Sequence, residues 1–114
     1  MCPSGWHIPT NYEFQLLGQA VEQNSNAFKK VGVGSATGVG TNTSGFSGTL
    51  RGSQYSLTHW HNRGALSYFW SSTEGYGGYA DCAKNMIYKV EDNYLGIGAL
   101  HTKINGKSIR CIKD

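Results

Sequence analysis

The sequence predicts an α+β domain: one or two amino-terminal helices followed by a small antiparallel sheet with long glycine-rich loops. Three observations lead there. Residues 10–13 carry a helix-start signature, residues 32–48 are dense in glycine, and the second half is strand-like with an Asn-Gly pair at 105–106.

Thr10-Asn11-Tyr12-Glu13 has the capping-box spacing. Thr10 can accept from the Glu13 amide while the Glu13 side chain reaches back to the Thr10 amide. Phe14, Leu17 and Val21 then fall at i, i+3 and i+7, a stripe that faces a core, and the pattern fades across 23–26. A short second turn of helix is expected around 27–31. The stretch GVGSATGVGTNTSGFSG over 32–48 holds six glycines among Ser, Thr and Asn, which is loop chemistry. With 16 glycines in 114 residues, about twice the usual share, structured loops take much of the chain. Tyr68-Phe69-Trp70 is an aromatic strand run ending in Ser71-Ser72-Thr73, and Asn105-Gly106 between 100–104 and 107–112 predicts a type I′ hairpin. Alternation over 79–86 puts Ala80, Cys82 and Met86 on one, core-facing side.

A chain of this length fits one domain over 1–114. Its net charge of +3 is spread singly, so no polyanionic partner such as nucleic acid is called for. No apolar run approaches the roughly 18 residues of a membrane span, which leaves no expectation of membrane insertion. Met1-Cys2-Pro3 is not the start of a signal peptide, so an exported form takes its signal or anchor from outside this sequence, as part of a longer chain. Of the three cysteines, Cys2 and Cys111 lie near the chain ends, and a bridge between them would staple the termini and suit an oxidising compartment. Cys82 reads as a small buried hydrophobe, with a reactive or metal-binding thiol as the alternative.

In order, Cys2-Pro3-Ser4-Gly5-Trp6-His7-Ile8-Pro9-Thr10 with Glu13, then Gly45-Phe46-Ser47, Phe69-Trp70-Ser71-Ser72-Thr73-Glu74 and Gly106-Lys107-Ser108-Ile109-Arg110-Cys111-Ile112-Lys113-Asp114 span essentially the whole chain. Together they resemble the Fibrobacter succinogenes major paralogous domain, a family of bacterial surface and secreted modules related to C-type lectin-like folds. The resemblance implies a C-type lectin-like domain at a cell surface or secreted. Trp60, Gly64 and Trp70-Ser71-Ser72-Thr73 fill places where members commonly carry an aromatic residue, a glycine and the Trp-Ser-Ser-Thr motif, which implies a core anchor at Trp60. Gly48-Thr49-Leu50-Arg51-Gly52 departs from the Ala-Leu-Pro-Gly-Gly that often follows Gly-Phe-Ser in members. The Glu-Pro-Asn, Gln-Pro-Asp and Trp-Asn-Asp motifs of calcium-dependent sugar binders are absent, so that site is not carried over and no cofactor is expected. Some relatives of this fold serve as variable proteins of diversity-generating retroelements.

The stretch THWHNRG at 58–64 poses the functional question. His59 and His61 would point to one side of a strand, a usable zinc pair, but a site needs a third and usually a fourth ligand, which His7, Cys82 or His101 would have to supply. A metal-dependent hydrolase using His59 and His61 is therefore the enzymatic rival. Ser71 and Ser72 read as strand-end hydroxyls bonding backbone, not as nucleophiles. The favoured reading is recognition without catalysis. Tyr55, His59, His61, Asn62, Arg63, Tyr76, Tyr79, Asp81 and Asn85 form the expected binding face, with Tyr68 and Tyr88 in the core. Tyrosine gives contact area with few torsions to freeze while Ser, Asn and Gly adapt their hydrogen bonds. Histidines there would make binding sensitive to mild acid. The expected partner is a glycan or a host or bacterial surface protein, and the non-enzymatic rival is an assembly module of a larger surface or fimbria-like protein.

Overall fold

The computed structural model describes residues 1–56 and 58–114. Strand β1 (Trp6–His7) leads into helix α1 (Asn11–Ala20). Next come a long irregular region and then β2 (Ser53–Ser56), β3 (His59–His61), β4 (Leu66–Glu74), β5 (Cys82–Lys89), β6 (Leu95–Thr102) and β7 (Ile112–Lys113). The antiparallel pairs group into β1 with β7, β2 with β3, and a three-stranded sheet ordered β4-β5-β6. This is the α+β architecture that the sequence predicts.

Helix α1 starts as expected, with both halves of the capping box formed at Thr10 and Glu13. The Trp-Ser-Ser-Thr motif then fixes this helix to the sheet. Thr73 Oγ1 accepts from the Asn11 amide at 2.9 Å and the Ser72 amide donates to the Pro9 carbonyl at 2.8 Å. Phe14, Phe28, Phe69, Met86 and Tyr88 form the buried core, with Leu17, Val21, Phe46, Leu50, Leu95 and Ile97 packed around it. Phe46 of the Gly-Phe-Ser motif meets Phe69 edge to face at 5.1 Å. Its insertion from an otherwise polar loop is what anchors that loop to the sheet.

Two local expectations fail for identifiable reasons. Only a single 3₁₀ turn, Ser25–Ala27, forms where a second helix was expected over 27–31, because Lys29 turns inward and the Lys30 amide bonds to Gly48 instead of continuing the turn. Lys29 is fully buried, and its Nζ donates to Asn26 Oδ1 at 3.1 Å and to the Gly38 and Asp92 carbonyls at 2.7 and 2.8 Å. One ammonium thereby holds the glycine-rich region to the β5–β6 connection. At the other end, Asn105-Gly106 does not close a two-residue hairpin. A type I′ turn needs positive φ at both residues, and neither is among those with positive φ. Gly106 instead bridges Gln54 and Ser108 bridges Phe69, so 103–110 folds back over the sheet.

The ends of the chain are joined twice. Trp6 and His7 pair with Lys113 and Ile112, and Cys2 is disulfide-bonded to Cys111 with Cα atoms 5.9 Å apart. Beside this seam His7 Nδ1 lies 2.6 Å from Asp114 Oδ1 and Nε2 lies 2.9 Å from Glu13 Oε1. Both ring nitrogens face carboxylates, and the Asp114 contact, followed by that to Glu13, raises the His7 pKa. Among the described residues, no helix is long and apolar enough to cross a membrane.

Candidate functional site

Strands β2 and β3 form a hairpin in which Ser53 faces His61, Gln54 faces Trp60 and Ser56 faces His59. It stands outside the three-stranded sheet, and all of β3 is exposed. His59 Nδ1 is within hydrogen-bond reach of the Ser56 and Thr58 hydroxyls at 3.1 and 3.0 Å, while the His61 ring tilts against Tyr55 at 5.6 Å. Leu57, next to these groups, lies outside the described residues. Trp60 is 54% exposed and is not the core anchor expected. It stands on a two-stranded hairpin separate from the main sheet, with the Arg63 guanidinium over the indole at 5.7 Å from its centroid and with Gln54 and Lys107 sharing a groove with it.

Asn62 is exposed, yet its conformation is fixed. It takes φ +60°, a left-handed conformation that Asn adopts more readily than most residues, donates from Nδ2 to Tyr68 Oη at 3.0 Å, and receives the Ala65 and Leu66 amides on its carbonyl. The residue holds the corner that presents Trp60 and Arg63.

The second predicted group, Tyr76, Tyr79 and Asp81, lies on the β4–β5 connection around a 3₁₀ turn, Gly77–Tyr79. All three are exposed, Tyr76 to 85%. Between this loop and the hairpin sits a segment that sequence reasoning missed, the turn at 103–105. The Lys103 amide donates to the Asp81 carbonyl at 2.9 Å, and its Nζ reaches the Ala80 carbonyl and Glu74 Oε1, each at 3.0 Å. On the other side, Lys103, Ile104 and Asn105 share a groove of about 460 Å³ with Gln54, Tyr55 and Ser56. Ile104, 84% exposed, crowns this turn. The predicted residues therefore belong to two loops joined through a third. The sequence signal for it was Asn105-Gly106, assigned to a hairpin that does not form.

Asn85, expected on the binding face, is not part of it. It is completely buried in β5, where Nδ2 donates to the Ala99 carbonyl at 2.7 Å opposite the bulge at Gly98. Asn85 pairs directly across from Trp70, on the face of the sheet that the 103–110 segment covers, so alternation sets it on the side opposite Met86 but a distant segment buries it. Tyr68 and Tyr88 are buried as expected.

Ser71 Oγ donates to the Lys84 carbonyl at 2.8 Å, a backbone contact as expected, though it lies within β4 beside the register break after Trp70 and not at a strand end. Cys82 is buried, and burial together with the neighbouring Asp81 carboxylate raises its pKa, which holds it as a thiol and not the reactive thiolate. Among the described residues, no three His, Cys, Asp or Glu side chains converge as a metal site would require. A larger, apolar groove of about 510 Å³ runs between α1 and the carboxy-terminal segment, walled by Phe14, Leu16, Leu17, Phe46 and Ile112. None of the predicted binding residues lines it.

The profile of the Fibrobacter succinogenes major domain matches residues 1–113, and the chain belongs to that family. No curated protein and no solved structure matches the chain.

Proposed function

We propose that this is a C-type lectin-like recognition module, displayed outside the cell, which binds a glycan or a surface protein through the crest formed by the hairpin, the 103–105 turn and the 75–81 loop. The observation that carries the proposal is the crest itself. Tyr55, Trp60, Ile104, Tyr76 and Tyr79 are large apolar side chains left exposed on three loops that are bonded to one another. Exposed apolar surface rimmed by polar groups marks interaction sites, and tyrosine and tryptophan supply most of the energy at such sites. Arg63, His59 and His61 border it. The helix packed against an antiparallel sheet, the long loops and the bridged chain ends support the C-type lectin-like assignment. Recognition here uses side chains and no calcium.

The test is an array of glycans and surface proteins probed with and without EDTA, using wild type, the His59→Ala/His61→Ala double variant and Tyr76→Ala/Ile104→Ala. Binding that survives EDTA and falls about 30-fold in the second variant, the size of one central hot spot, supports this reading. Binding abolished by EDTA refutes its calcium independence. A hit indifferent to both variants refutes the crest and favours the assembly module, whose contact face lies elsewhere.

A further inference from the structure

Lys107 sits in a box that its neighbours in the crest do not explain. Its Nζ lies 4.2 Å from the Tyr68 ring centroid and 5.0 Å from that of Trp70, and 2.6 Å from His101 Nδ1. The walls come from β4 and β6, brought together across β5, and the lid is the 103–110 segment folded back over the sheet. Trp70 secures that lid by donating from Nε1 to the Asn105 carbonyl at 3.2 Å. Among the described residues no carboxylate pairs with Lys107, so His101 is its one titratable polar partner in the box. The residue is partly exposed and lines a groove of about 400 Å³ with Trp60, Arg51 and Gln54.

Two features follow from this placement. Burial draws the Lys107 pKa down to about 8, so at pH 7.5 about a quarter of the amine is neutral, against about 0.1% for an ordinary lysine near 10.4. Burial and then the Lys107 charge lower the pKa of His101, leaving a neutral imidazole beside the amine to take up and return a proton. A desolvated amine with an adjacent base is the arrangement of a lysine that forms Schiff bases.

We propose that Lys107 is a covalent capture site for small aldehydes, forming an imine inside the Tyr68, Trp70 and His101 box. The Nζ lone pair attacks the aldehyde carbon, and the carbonyl oxygen takes up a proton as nitrogen loses one, giving a carbinolamine. The hydroxyl takes up a proton from solvent and leaves as water as the nitrogen lone pair forms the C=N bond, and the remaining nitrogen proton passes to His101 and back to solvent. One amine and one aldehyde give one imine and one water, with no oxidation or reduction.

The experiment incubates the folded domain with propanal or glyceraldehyde plus sodium cyanoborohydride, which reduces the imine to a stable secondary amine. Peptide mass mapping then reads each lysine separately from pH 6.5 to 9.5. After allowance for the lower nucleophilicity of a weaker base, Lys107 is expected to react about 10-fold faster at pH 7.5 than an ordinary lysine, with a midpoint near 8. The excess vanishes from the map of Lys107→Arg. Propanal alone reacting identifies an apolar aldehyde, and glyceraldehyde reacting as well extends the class to open-chain sugars. Equal rates at all lysines, or Lys107 slowest as a merely buried amine, overturn the proposal. The wild-type map decides this even where the arginine variant fails to fold.

Discussion

Replacing Lys29 by Met tests how the glycine-rich region is held. The ammonium is fully buried and donates three hydrogen bonds, to Asn26 Oδ1, Gly38 O and Asp92 O. Bonds to a charged donor are worth roughly 1.5 to 3 kcal/mol each, together about 5 to 9 kcal/mol. Against this stands the cost of burying the charge, several kcal/mol, which is why burial lowers the Lys29 pKa even though the Asp92 carboxylate acts the other way. Methionine keeps most of the aliphatic stem and removes both the charge and its cost, but leaves three acceptors unpaired at about 1 kcal/mol or more each. The expected loss is about 3 kcal/mol, read as a lower urea midpoint with an unchanged slope followed by tryptophan fluorescence. At about 4 °C per kcal/mol for a domain of this size, Tm falls about 12 °C. A Met variant as stable as wild type, or more so, would refute the reasoning, because it would mean that the three bonds do no more than offset desolvation.

Opening the Cys2–Cys111 bridge with serines frees a loop of 109 residues and should cost about 5 kcal/mol on the chain-entropy model, a fall in Tm of about 20 °C by calorimetry; a loss under about 1 kcal/mol would show that β1–β7 pairing alone closes the ends. His7 has a raised pKa, so its contribution is complete below about 6.5 and is lost as pH rises through the folded value; Glu13 is lowered, chiefly by the Thr10 amide, and its contribution is lost as pH falls through its own folded value. Urea midpoints of wild type and His7→Gln should therefore converge on the alkaline side, and a constant gap between the two curves up to pH 9 would sink this assignment. Gly48→Ala places a Cβ 2.0 Å from Tyr88 Oη, whose hydroxyl donates to the Thr49 carbonyl. Overpacking of this kind costs about 1 to 3 kcal/mol, and an alanine variant with wild-type stability would show that the tyrosine moves aside freely.

What the sequence discloses is local in origin. Thr10 and Glu13 interact within one turn, and Phe14, Leu17 and Val21 share a helical face, so spacing suffices to place α1. Tyr68 and Tyr88 sit in strands whose apolar neighbours declare them buried. The exposed members of the candidate face, His59, His61, Arg63, Tyr76 and Tyr79, were legible because they lie among glycines and polar residues. Failures arise where a distant partner decides the outcome. Asn105-Gly106 gives up its hairpin because Gln54 pairs with Gly106, Asn85 is buried because the 103–110 segment covers the face it shares with Trp70, and Trp60 stays exposed on a two-stranded hairpin separate from the main sheet. The Lys107 box was invisible for the same reason: Tyr68, Trp70, His101 and Lys107 meet only after three strands and a return segment are assembled.

The bridged ends carry a mechanical consequence. Tension applied between residues 1 and 114 runs from Cys2 directly to Cys111 and bypasses the core, so the domain adds about 6 Å to a stretched chain. Without that shunt the same segment would pay out to roughly 360 Å at about 3.3 Å per residue. With the sulfurs joined, a pulled domain keeps its helix, sheet and crest intact; reduction turns the same domain into an extensible tether.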